Sequence, residues 1–235
     1  MELAQEYASK YPEMLVYLED LKSIITQHIR SEIFEGNCFY YHDSLNEYPE
    51  LYTKQLNLFW CGKQQATRMC EIGFNAGHSS MLLLLGRNCE PMQFTVFDIG
   101  HHQYTAPCFD YIKQSFSHVQ FEYVEGDSTI TMPAWINARP EMKESYDLVH
   151  VDGGHSEYCA SNDMKNADIL LKMDGIMVID DTNAEQINNQ VDIYLASGRY
   201  VELCVFKTFG YSHRIIRKTK LYEKQSINNI FCLCI

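Results

Sequence analysis

From residue 67 onward, short apolar runs alternate with helix-length segments, and this alternation constrains the fold more than any other feature of the chain. Strand candidates are Arg68–Ile72, Gln93–Asp98, Val119–Val124, Tyr146–Val151, Ile176–Asp180, Tyr200–Phe206 and Ser212–Arg217. Segments 78–87, 103–117, 128–138 and 156–172 separate the first five and are long enough for helices; a further one, 184–197, follows the fifth strand. Within 156–172, Ala160, Met164, Ala167 and Leu171 recur at spacings of four and three, the period of one helix face. Strands alternating with helices require right-handed crossovers and therefore a mainly parallel sheet covered on both faces. The expected fold class is α/β, a doubly wound sheet of seven strands. Only a few residues around Thr208–Tyr211 separate the last two strands, too short for a crossover, so they are expected to form an antiparallel hairpin at one edge.

The first 65 residues read differently. Met14, Leu18, Leu21, Ile25 and His28 lie on one face of a helix over 11–30; Asn37 to Tyr52, with the run Phe39-Tyr40-Tyr41-His42, reads as a loop or lid before a helix near 50–64. A chain of 235 residues leaves the domain count open. No Gly/Ser or Pro tract divides it, so the expectation is one domain: a helical cap over 1–65, a core over 66–217 and a tail over 218–235. Two roles are open to the cap, closing over a site or pairing two copies as a homodimer. A net charge of -12 would repel polyanions, which argues against nucleic acid and anionic membranes as partners. The longest aliphatic run, Met81 to Leu85, is far short of the ~20 residues that cross a bilayer, and the N-terminus has no apolar signal core. A cytoplasmic location is expected. The nine cysteines are scattered without CxxC spacing, so they read as reduced thiols and not as a disulfide framework or zinc site.

The first strand runs into Glu71-Ile-Gly73-Phe74-Asn75-Ala-Gly77-His-Ser79, a strand, a glycine turn and a helix start. Glycines at 73 and 77 let the backbone bend and approach a ligand without a Cβ in the way. The pattern is ExGxxxG, not the GxGxxG that seats a pyrophosphate, and its acid suits a cationic ligand. Asp98 ends the second strand, where a carboxylate of a doubly wound fold can accept from both ribose hydroxyls. Gly126-Asp127-Ser128 follows the third, and Asp127 can accept from an exocyclic amine such as that of adenine. Any one of these acids could be a solvated residue or a helix cap; three at successive strand ends point to an adenosine that carries a cation and no phosphates.

These motifs resemble those of class I S-adenosylmethionine-dependent methyltransferases, over about residues 66–217. Glu71, Gly73 and Gly77 match the family's first motif, Asp98 its ribose-binding acid, and Gly126-Asp127-Ser128 its adenine-side motif. The closing hairpin matches as well, since the family's seventh strand inserts antiparallel beside the fifth. The resemblance implies S-adenosylmethionine as cofactor, with Phe74, Asn75, Ser79 and Asp152 beside the motif residues in its site.

The fourth strand leads into Asp152-Gly-Gly-His155, and the fifth ends in Asp180-Asp181-Thr182-Asn183. A βαβ unit sets both ends side by side, so Asp152, Asp180 and Asp181 converge, and a hard cation, Mg2+ or Mn2+, would relieve their repulsion. The alternative is that Asp180 or Asp181 caps the helix near Ala184 while Asp152 opens a turn. Adjacent strand residues point to opposite faces, so both members of the pair can ligate only if the strand has unwound there. The arrangement is similar to metal-dependent O-methyltransferases acting on sugars and sugar moieties of natural products. It departs from the catechol and caffeoyl-coenzyme A branches, which have Asn where Thr182 stands. His155 is expected to act as base on the acceptor hydroxyl, with Asp152 beside it in the reaction; a structural role in placing Asp152 is its other reading. His78, His101 and His102 read as loop polar groups, although His102 or Tyr104 could face adenine or substrate. The acidic surface disfavours a coenzyme A thioester, and a chelating metal favours a sugar or other diol. The sequence thus predicts a metal-assisted O-methyltransferase for a small hydroxylated acceptor, foremost a sugar; its rivals are a catechol-like phenol methyltransferase and a non-catalytic methyltransferase-like module.

Overall fold

The computed structural model describes residues 2–30, 34–41, 44–87, 92–203, 205–206 and 212–220. Parallel strands β1 (Arg68–Ile72), β2 (Met92–Asp98), β3 (Val119–Glu125), β4 (Tyr146–Val151) and β5 (Leu171–Ile179) alternate with helices α3 (His78–Gly86), α4 (Thr105–Ser115), α5 (Ser128–Ala138) and α6 (Glu157–Leu170). Helix α7 (Glu185–Ala196) leads to β6 (Tyr200–Glu202) and β7 (Arg214–Lys218), completing a sheet in the order β3-β2-β1-β4-β5-β7-β6. β7 runs antiparallel to both β5 and β6, so the expected antiparallel edge is present; most of the connection that sets it lies outside the described residues. The order reverses between β1 and β4, and this switch point opens a crevice beyond the carboxyl ends of the strands.

Several boundaries differ from the sequence expectation, among them β6, which ends at Glu202 and not at Phe206; two of the differences have a plain physical reason. Leu171, assigned by its period to the preceding helix, instead opens β5; it is buried in either setting, so hydrophobicity could not separate the two. Helix α1 (Glu2–His28) starts well before residue 11, because Tyr7 lies two turns before Met14 on the same buried face. Among the described residues no helix is long and apolar enough to cross a membrane. The tail beyond residue 220, with Cys232 and Cys234, lies outside the described residues.

Strand residues alternate between two apolar cores. Met69, Leu148 and Val178 pack on the side of α1 to α4 and helix α2 (Tyr52–Gly62), whereas Cys70, Val149 and Ile179 pack against α5 to α7. The same alternation turns Glu71, His150 and Asp180 toward the cap side. Helix α2 is seated there by two glycines. A Cβ on Gly62 would lie 2.2 Å from the Leu83 carbonyl oxygen, and one on Gly86 would lie 2.2 Å from that of Phe59, so α2 and α3 cross backbone against backbone. Tyr7 ties α1 to this pair, donating its hydroxyl to Gln55 (2.7 Å), whose amide donates to the Cys38 carbonyl (2.8 Å). The cap is thus continuous with one of the two cores.

Candidate active site

A cavity of about 740 Å³ opens at the carboxyl ends of β1, β2, β4 and β5. Its floor is the loop after β1, and its roof is supplied by cap residues that include Asn37, Tyr40, Tyr41 and Lys54. The loop is held in shape by the residues singled out in the sequence. Gly73 has φ +85°, and a Cβ there would overlap the Asp152 carbonyl oxygen at 1.8 Å; Gly77, at φ +79°, is the N-cap of α3. Only glycine permits the β1 and β4 ends to approach so closely.

The predicted cofactor acids divide into two groups. Asp98 lines the cavity and also braces the loop: its carboxylate accepts from the Phe74 and Asn75 amides (2.7 and 2.9 Å) and from that of Gly100 (2.7 Å). Asp127 lines the cavity with Gly126 and Ser128, and caps α5 by accepting from Thr129 N and Oγ1. Phe74, Asn75, Ser79 and Asp152 line it too. Glu71 does not. Its fully buried carboxylate accepts from Ser79 Oγ (2.6 Å) and Ser80 Oγ and lies 2.9 Å from His150 Nδ1, its cross-strand partner. The direct contact with a cationic ligand expected of Glu71 is therefore replaced by a role beneath the loop: it pins the first turn of α3 to β1 and β4.

Asp152, Asp180 and Asp181 do come together at the ends of β4 and β5. Potential ligand atoms of Asp152, His155 and Asp181 lie within 4.8 Å of one another, as do those of His150, Asp152 and Asp180. The strand has ended at Ile179, and Asp181 takes a left-handed conformation (φ +52°), which turns it away from Asp180 and toward His155. His155 Nε2 sits 2.8 Å from Asp181 Oδ2. Asp180 instead faces the cap, where its Oδ2 meets Lys54 Nζ at 2.6 Å, both side chains buried; its Oδ1 accepts from the Asp181 amide. Neither acid caps α7, whose N-cap is Ala184 with no side-chain bond. Asp180 thus differs from the other two carboxylates in already being engaged by Lys54.

The charges follow from these contacts. Burial and the neighbouring Asp180 and Asp181 push the Asp152 carboxyl well above its usual range. Burial also opposes ionisation of Asp180, but Lys54, with His213 and His150, outweighs it and holds that carboxyl down to about 2. Burial works against the Lys54 ammonium, and Asp180, Asp152 and Asp181 more than offset it, keeping the group charged. The hydrogen bond to Asp181 raises His155 above the usual imidazole value. Burial takes His78 down to about 3, so it is neutral; its Nδ1 accepts from Asn37 Nδ2 at 3.2 Å, tying cap to loop. His102, stacked on the buried Tyr104 at 4.8 Å, pairs with Glu35 across the mouth (3.1 Å). His102 lines the cavity with His101, while Tyr104 is covered by the stack and does not.

Lys54 is the functional residue that sequence reasoning missed. A signal was present: α2 carries Lys54, Gln55 and Asn57 among Leu56, Leu58 and Phe59, and is buried on nearly every side. Polar residues on a helix without a solvent face must be paired inside the protein.

Residues 70–182, just under half of the chain, match a family model described as a methyltransferase domain. Over this stretch the chain is similar to methyltransferase domains. Solved structures with this fold include an O-methyltransferase from Bacillus cereus in complex with S-adenosylhomocysteine (13% identity, TM-score 0.57, 87% of this chain and 91% of that one). Another is TomG from Streptomyces achromogenes, an O-methyltransferase involved in tomaymycin synthesis, in complex with S-adenosylmethionine (13%, 0.58, 86% and 89%). A third is a methyltransferase from Podospora anserina bound to S-adenosylhomocysteine (14%, 0.55, 74% and 83%). No match among curated protein sequences reaches significance. The matched stretch runs from within β1 to just beyond β5, so the glycine loop, Asp98, Asp127, Asp152, Asp180 and Asp181 all fall within it, whereas Lys54 comes from the cap.

Proposed function

We propose that this protein is an S-adenosylmethionine-dependent O-methyltransferase acting on a hydroxyl of a small neutral acceptor, a sugar or another vicinal diol, with assistance from a divalent cation, Mg2+ or Mn2+. The observation that carries the reading is that one cavity holds both the glycine loop with Asp98 and Asp127 and the cluster of Asp152, His155 and Asp181. The volume of about 740 Å³ lies toward the upper end of the ~300–1,000 Å³ of ligand pockets, room for a cofactor and a small acceptor together. O-methylation is the activity in the names of the Bacillus cereus and Streptomyces structures.

In this reading Gly73, Phe74, Asn75 and Gly77 seat the cofactor on the backbone of the loop, with Ser79 holding the loop to Glu71. Asp98 accepts from the ribose, and Gly126, Asp127 and Ser128 border the adenine. S-adenosylmethionine would supply the methyl group: an O–C bond to the acceptor would form as the S–C bond breaks, giving a methyl ether and S-adenosylhomocysteine. Asp181 orients the His155 imidazole through Nε2, and Nδ1 takes the hydroxyl proton. The donor chemistry suits a hard cation: a single ammonium faces three carboxylates, and the repulsion that pushes Asp152 up is what a divalent ion would relieve. Asp152 and Asp181 would hold it, and it would lower the pKa of a bound hydroxyl. Tyr40 and Tyr41 on the cap side offer ring faces to the apolar face of a sugar. The test is methyl transfer to sugars, other diols and catechols, with and without EDTA; sugar or diol turnover that EDTA abolishes and Mn2+ restores is expected.

A further inference from the structure

The cap places a lysine where the acid cluster needs a cation. Lys54 is 6% exposed, Asp180 4%, and their 2.6 Å contact joins helix α2 to the end of β5. Both oxygens of Asp180 are already engaged: Oδ2 is paired with Lys54 and Oδ1 accepts from the Asp181 amide. Asp152 and Asp181 differ from it. All three line the cavity, but Asp152 and Asp181 are only partly buried, and Asp181 is turned outward by its left-handed backbone.

We infer that Lys54 is a positioning residue that withdraws Asp180 from the metal's ligands, leaving a two-carboxylate site of Asp152 and Asp181 that is open to chelation by two acceptor oxygens. The inference rests on the metal reading above and deepens it. Mg2+ and Mn2+ take six oxygen donors and tolerate one or two protein carboxylates with the rest supplied by water and substrate. A third carboxylate would tighten the ion and close a position that a diol could use. Because affinity in oxygen sites follows the number and charge of the ligands, the lysine sets how tightly the ion is held before the acceptor arrives. The cap then has a chemical role besides covering the cavity: its α2 helix delivers the charge.

Mn2+ alone, titrated into the protein saturated with S-adenosylhomocysteine and followed by electron paramagnetic resonance, separates the outcomes. Asp152→Asn and Asp181→Asn are expected to abolish Mn2+ binding, and Asp180→Asn to weaken it by about 10–100-fold, the effect of an outer partner. Lys54→Met is expected to tighten Mn2+ about tenfold or more, since it frees a carboxylate and removes a positive charge. S-adenosylhomocysteine binding by each variant reports that it is folded; if Lys54→Met fails this check, the near-isosteric Asp180→Asn decides. Wild-type protein that binds no Mn2+ overturns the metal reading and this inference with it. Wild-type binding that Asp180→Asn abolishes as fully as Asp181→Asn overturns the inference alone, as does unchanged or weaker Mn2+ binding in folded Lys54→Met.

Discussion

Replacing Gly62 by alanine sets two effects of opposite sign against each other. In a helix, alanine is preferred over glycine by up to ~1 kcal/mol, so propensity alone predicts a gain. The structure predicts a loss. The new methyl would sit 2.2 Å from the Leu83 carbonyl oxygen and 2.9 Å from its carbon, where ordinary contact begins at 3.4 Å. The obstacle is backbone in the middle of α3 and cannot rotate away, so α2 and α3 must separate by roughly 1 Å. Overpacking of this kind costs ~1–3 kcal/mol, and a methyl held 2.2 Å from fixed backbone belongs in the upper part of that range, which leaves a net loss of about 1–2 kcal/mol. For a chain of this length that lowers Tm by roughly 2–8 °C. The same displacement propagates along α2 to Lys54, about 12 Å away at 1.5 Å per residue, and loosens its pairing with Asp180. Thermal unfolding of Gly62→Ala, beside an alanine substitution at an exposed helix position, measures the loss. A Tm unchanged or raised would refute the close crossing of α2 and α3 and with it the account of how Lys54 is placed.

Other expectations follow from individual contacts. His155→Ala should lower kcat by about 10²–10⁴-fold, the usual worth of a general base, with S-adenosylhomocysteine affinity unchanged in calorimetry; full activity would remove His155 from the reaction. Glu71→Gln puts an amide donor among the hydroxyls of Ser79 and Ser80 and the His150 ring, at a cost of ~1–3 kcal/mol in denaturant unfolding. Because Glu71 does not line the cavity, cofactor affinity of the folded variant should change less than about tenfold; a 100-fold loss would restore the direct contact that its motif suggests. Asp163 is fully buried in α6, and burial raises its pKa to about 6. The folded state therefore holds a proton that the unfolded chain releases near 4, and stability falls as pH rises from 4 through 6. Asp163→Asn should be more stable than wild type by a few kcal/mol at pH 8 and about equal to it at pH 4; the same difference at both pH values would contradict a proton held by Asp163.

The sheet was legible because its information is local. Apolar runs of β1 and β4 end where a glycine turn or an acid begins, and their bounds match residue for residue. The αβ alternation fixes the parallel order through handedness, and Thr208–Tyr211 requires an antiparallel return. The carboxylates at the strand ends were legible for the same reason, since doubly wound folds bring successive strand ends to one edge. Their partners were not. Lys54 and Asp180 are separated by more than half the chain, and nothing local to α2 says which strand it crosses. The backbone turn at Asp181 and the burial of Glu71 likewise depend on packing between elements. Charges along the sequence thus located the site, and the third dimension decided which of them face the cavity and which face each other.

The central claim is that this chain moves a methyl group to a hydroxyl with a cation held at Asp152 and Asp181. Its most direct test is transfer of label from methyl-labelled S-adenosylmethionine to a panel of sugars, other diols and catechols, after EDTA treatment and after Mn2+ is returned. The account predicts labelled methyl ethers of a sugar or diol, lost in EDTA and regained with Mn2+. Undiminished transfer in EDTA would contradict the metal's part, and label on a nitrogen or carbon acceptor alone would contradict the hydroxyl.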